Sequence, residues 1–291
     1  MNINMKYYIV TIASIFLALG IGIIVGFNLN YDQELSKQQS EVLGQFETKF
    51  DSLNKEKEEL KTQIDSLNQD YDKLQAYVSK NYNILIADEL SNKNTGIILT
   101  NEKSDYSEDI EKVIKDAGGR LAFNIIIKDN IEDKNILKEL SNEIDKDIKS
   151  PQDCINYIVD CLNGNSAKSN LKRLEEMDLI EVKSLSNDYV SYDSVVLAGE
   201  NEDENMKNSF EVKDKNIISK LKSDKKYLIA VQRENSKSEF RKLCADSKVS
   251  TIDNIDSEIG KISLTMLIKD ESKIGNFGTG EDADDLMPFS K

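Results

Sequence analysis

The chain has 291 residues and carries 53 acidic against 38 basic side chains, a formal charge of −15 with a pI of about 4.7. That balance opposes binding to nucleic acid or to anionic lipid surfaces. It contains no histidine and 3 cysteines, which excludes Ser-His-Asp and Cys-His catalysis, His-based metal sites and a disulfide scaffold.

Residues 7–29 hold no charged side chain. As a helix they would run about 34 Å at ~1.5 Å per residue, enough to cross a hydrocarbon core of ~30 Å. Lys6 precedes the run, and Asp32 and Glu34 follow it. Positive charge is retained inside, so residues 1–6 are expected in the cytoplasm and the bulk of the chain outside the cell membrane. A cleaved signal peptide would have a shorter apolar core and a small-x-small site. Gly26-Phe-Asn-Leu-Asn30 offers no such site, and the first cysteine is Cys154, too late for a lipobox. A retained, single-pass signal-anchor is the expectation. Ser14, Ala18, Gly22 and Gly26 recur every fourth residue. One helix face thus carries four small side chains, a pattern that lets two membrane helices approach closely. Chance spacing is the alternative, since Gly and Ala are common in membrane spans.

Residues 30–82 read as a coiled coil. The a-positions are Leu43, Phe50, Lys57, Ile64, Tyr71 and Val78; the d-positions are Phe46, Leu53, Leu60, Leu67 and Leu74. All but Lys57 are apolar or aromatic, and no Gly or Pro occurs over 45–95. Leucine at d with one lysine at a favours a parallel two-stranded coil, and Glu56 at g faces Lys61 at the next e across it. The expected partner is therefore a second copy of the chain. An intramolecular hairpin, or one amphipathic helix lying on the globular part, is the alternative. A hairpin needs a second long heptad segment, and the later sequence offers none.

From residue 83 short β-rich apolar runs alternate with amphipathic ones. Residues 95–100, 121–127, 194–198, 227–231 and 249–252 read as strands. Residues 106–117, 132–147, 151–162, 214–221 and 238–245 read as helices, the first closed by Gly118-Gly119. Residues 259–268 fit either period, with helix preferred. Buried-type strands alternating with helices predict an α/β domain over 83–270, a mostly parallel sheet with flavodoxin/Rossmann-like layering. Residues 271–291, with Glu281, Asp282, Asp284 and Asp285, read as an acidic flexible tail.

Little in this domain has the makings of a reactive site. Residues 100–105, after the first strand, contain no glycine, against the Rossmann phosphate loop. Gly275-Asn-Phe-Gly-Thr-Gly280 lies in the tail. Asp253, Asp256 and Glu258 could offer oxygen ligands but lack the spacing of a calcium loop. Cys154 and Cys161 would share the apolar face of one helix, roughly 10 Å apart at ~1.5 Å rise, too far for a disulfide. They read as buried free thiols. No enzyme, cofactor or metal site is expected.

Several segments together resemble the MctB family of copper transport proteins. They are residues 13–26, the coil after them, Ala117-Gly-Gly-Arg-Leu121, Val249-Ser-Thr-Ile-Asp-Asn-Ile-Asp256, Gly260-Lys-Ile-Ser-Leu264 and Asn276-Phe-Gly-Thr-Gly280. Residues 130–240 match only in pattern. The resemblance implies a role in copper efflux or resistance, with a channel through the outer membrane proposed in diderm members. Other members, called SteB, look like envelope scaffolds paired with a partner named SteA, and act in cell division and wall remodelling. Copper sites draw on soft Cys and Met or on imidazole ligands. Here Met177, Met206, Met266 and Met287 stand apart in the sequence. The primary expectation is a dimeric, membrane-anchored, non-catalytic scaffold with a SteA-like partner; the alternative is a copper transport and homeostasis component.

Overall fold

Proline first occurs at Pro151, so nothing early in the chain forces a helix to stop. A computed structural model describes residues 5–164, 166–189, 191–202 and 206–289, without the side chains of 28–34. Most of the expected cytoplasmic segment 1–6, and the side chains of Asp32 and Glu34, fall outside that description. Helix α1 (Met5–Ile86) takes in both the expected membrane span and the expected coil. The chain divides into two compact units, Met1–Leu74 and Gln75–Lys291.

The second unit is α/β. After α1 come β1 (Asn94–Leu99), α2 (Ser107–Asp116), β2 (Arg120–Ile127), α3 (Lys134–Ile144), α4 (Pro151–Asn163), α5 (Ala167–Glu176) and β3 (Ile180–Leu185). Next are β4 (Ser194–Ala198), α6 (Met206–Ser209), α7 (Lys215–Ser223), β5 (Tyr227–Val231), α8 (Phe240–Asp246), β6 (Ser250–Ile252), α9 (Glu258–Lys269) and β7 (Asn276–Phe277). The 7-stranded sheet has the order β3-β2-β1-β4-β5-β6-β7. Its pairs are parallel except β2 with β3.

Strand residues alternate between two cores, as the pleat requires. Ile98, Ile125, Val195, Leu197 and Ala230 join the core built with α3, α4, α5, α7 and α8. Ile97, Leu99, Ile126, Val196, Ile229 and Ile252 join the one built with α2, α9 and the end of α1, where Ile86 is fully buried. Both faces of the sheet are therefore covered. Local chemistry sets the helix ends. Ser150 and Asp153 form a capping box on α4 with Pro151 in the first turn. Ser257 accepts from the Gly260 amide to start α9. Gly118, at φ 78°, turns the chain out of α2.

The helix expected over 132–147 is present as α3, shorter at both ends: a 3₁₀ turn at Asp129–Glu132 precedes it, and it stops where Asp145 takes φ 52°. Helix α5 and the antiparallel edge strand β3 were not foreseen. The segment 271–291 is not a loose tail in its described part: β7 adds to the open edge of β6, and Phe277 is buried in the second core. Its acidic side chains tie it down by accepting backbone bonds. The Asn276 amide donates to Asp284 at 2.8 Å, and the Thr251 hydroxyl donates to the Asn276 side-chain oxygen at 2.9 Å.

Candidate functional site

Residues Met5–Phe27 have mean hydropathy 2.6 and none of that window is buried. Ser14, Ala18, Gly22 and Gly26 lie on one face of α1 by their spacing. A methyl group added at Gly22 or Gly26 would meet nothing within 4 Å. Further along, Leu43, Phe46, Phe50, Leu53, Leu60, Ile64, Leu67, Tyr71 and Leu74 are all more than half exposed. Among the described residues no other element of the first unit covers this row. Exposed apolar residues at that density and period are unusual for a solvated helix face. Val78 differs, being partly buried against the second core.

In open α/β sheets, ligands bind beyond the carboxyl ends of the strands, where the strand order reverses. Here that point lies between β1 and β4, and polar side chains fill it. The Thr100 hydroxyl donates to Asp214 at 2.6 Å, and the Lys213 ammonium donates to the Thr100 carbonyl at 3.1 Å and pairs with Asp129. Lys213 and Asp214 are 2 % and 3 % exposed. They project from a π-helical turn, Phe210–Asp214, that joins α6 to α7. A Cβ at Gly199 would come within 2.4 Å of the Phe240 ring and 2.6 Å of the Thr100 hydroxyl. Only glycine allows this approach. Burial pushes the Asp214 carboxyl up to about 7, against the Thr100 bond and the Lys213 charge, which pull it down. Nearby, Arg233 holds Glu200 at 3.1 Å and lies over the Tyr106 ring at 5.2 Å. The charged groups at this position are thus engaged with one another.

Beyond β5 and β6 lies a cleft of about 390 Å³ whose lining includes Arg233, Arg241, Asp253 and Asp282. One wall is the glycine loop of residues 278–280. It has the outline of an anion-binding loop, but its amides are taken: Thr279 and Gly280 donate to the two Asp253 oxygens at 2.9 and 2.8 Å. Gly278 sits at φ 136°, where a side chain would be strained and would collide with Asp253. Arg241 pairs with Asp282 and lies 4.0 Å from Asp253. The Asp256 carboxylate accepts from the Glu234 amide at 2.8 Å instead of joining Asp253. Among the described residues no three His, Cys, Asp or Glu side chains gather as a metal site.

Cys154, Cys161 and Cys244 are buried free thiols. Burial pushes the Cys154 thiol up to about 12 and raises Cys161 as well, so thiolate chemistry is suppressed at both. Two of the scattered methionines share one groove. Met266 and Met287 line one apolar groove of about 640 Å³ with Val78, Leu85, Ile262 and Phe289. The sequence reading missed this groove. The signal available was Leu85, which continues the heptad a-positions beyond Val78.

A family model described as copper transport outer membrane protein, MctB, matches residues 2–156 and 160–288. A search of curated proteins finds no match.

Proposed function

The chain belongs to the MctB family, and on that premise we propose that it is a copper-related envelope protein working as a dimeric, single-span, non-catalytic scaffold. The observation that carries this reading is the uncovered apolar row from Leu43 to Leu74. Two chains anchored side by side can pair along it only in parallel, and leucine at d prefers that arrangement. The apolar run at Met5–Phe27 supplies the anchor, with the N-terminus cytoplasmic from the charge asymmetry of Lys6 against Asp32 and Glu34. The sheet order supports the flavodoxin/Rossmann-like layering, with the ligand position filled by the Thr100–Asp214–Lys213 network. A domain of that kind suits contact with another protein, in SteB-like members a SteA-like partner. A pore is harder to build from it. Membrane barrels close on themselves and face lipid on one side, whereas this sheet is open and buried on both faces.

A second reading, copper transport or efflux, follows the family description and has one favourable observation. Met266 and Met287 present two thioethers, soft ligands suited to Cu(I), to the same groove. One experiment separates the two. A deletion strain is complemented with the natural chain or with a Met266→Leu/Met287→Leu variant, then scored for septation and for growth in copper. The scaffold reading expects a septation defect that both chains repair, with copper tolerance unaffected by the methionines. Copper sensitivity repaired by the natural chain alone would establish the transport reading instead.

A further inference from the structure

The apolar groove of the second unit lies where the heptad pattern ends. Val78 and Leu85 are successive a-positions, and both line it; the facing walls are Ile262 and Met266 of α9, with Met287 and Phe289. The e-position Tyr82 turns toward the same side and packs on the second core. Just past the helix end, Glu89 lines the groove and pairs with Lys269. The g-positions point away from the unit's own core. They are Tyr77 and Ile84, exposed 66 % and 76 %; among the described residues no large apolar side chain is more exposed than Ile84. In a parallel two-stranded coil the g side chain of one helix lies against the e side of the other. The heptad phase therefore directs two bulky, uncovered side chains of one chain at the groove of its neighbour.

We propose that this groove receives Tyr77 and Ile84 of a second copy, so that the dimer seam ends in a junction joining both α/β units. The proposal rests on the parallel coil proposed above and extends it from the rod into the globular part. The groove's chemistry fits a protein occupant. Its floor is apolar, with two adaptable methionines, and its rim mixes Glu89, Lys269, Asp270 and Lys273. Protein interfaces carry such a mixed polar rim, while an anionic lipid surface would call for a run of basic residues.

Thiol linking of the full chain in detergent tests this, because the native cysteines are buried. Chains carrying Ile84→Cys and chains carrying Met266→Cys, tagged differently, are produced together and treated with a short bismaleimide. A Leu67→Cys chain reports on the coil separately. The expected result is a link between the two differently tagged chains, together with a Leu67 homodimer link. A Leu67 link without the Ile84–Met266 link overturns the groove proposal and leaves the coil standing; the groove then has another occupant or none. Absence of the Leu67 link removes the coil and the junction with it. If Met266→Cys fails to fold, the Tyr77→Cys and Met287→Cys pair asks the same question, with the same two outcomes.

Discussion

At Asp214 burial and charge oppose each other. It is 3 % exposed, accepts the Thr100 hydroxyl and follows the buried Lys213 in the chain. Burial still prevails and raises its carboxyl from 3.8 to about 7. A raised carboxyl in a cleft often marks a catalytic acid, but this one is covered and paired. Its consequence falls on stability. The folded chain holds a proton that the unfolded chain releases, so the stabilisation is complete below the unfolded value and is lost as pH rises through the folded one. Asp214→Asn removes the titration. The stability of the natural chain relative to this variant should fall from about pH 4 to about pH 7, by up to roughly 4 kcal/mol. Urea unfolding of soluble chains of residues 31–291 across that range measures the difference. A pH-independent difference would contradict the assignment.

At the scale of elements, what the sequence reveals depends on how completely each segment is buried. Strands β1, β2, β4 and β5 are runs of Ile, Val and Leu with both faces covered, so their pattern stands out. Strand β3 is Ile-Glu-Val-Lys-Ser-Leu, an edge with most positions half-exposed, and nothing in it competes with a loop reading. The acidic tail misleads because its carboxylates look solvated, while Asp284 accepts a backbone bond inside it. The candidate site was legible only in α1. The Thr100–Asp214 network and the Met266–Met287 groove join residues far apart in sequence, so no local period announces them. The heptad row makes its own prediction. In the proposed coil, Leu60→Asp with Leu67→Asp would put two charges per chain into an apolar seam, where each Leu buried by pairing is worth roughly 1.5–3 kcal/mol. The proposed dimer of residues 31–291 should then become monomeric. The cooperative urea-unfolding signal of the α/β unit should persist, since Leu60 and Leu67 lie outside it. Loss of that signal together with the dimer would mean that the helix and the domain fold as one.

For the whole molecule, the proposed role of work done through contact draws on the apolar span, the heptad row and the filled switch point of the sheet. In the proposed dimer, anchoring side by side would raise the effective concentration of the two helices, and leucine at d would set their direction. All of this depends on two chains pairing. Sedimentation equilibrium of residues 31–291, which lack the apolar span, tests that most directly. The expected result is the mass of two chains at micromolar concentration, falling to one only on dilution. The mass of a single chain throughout the accessible range would contradict the account.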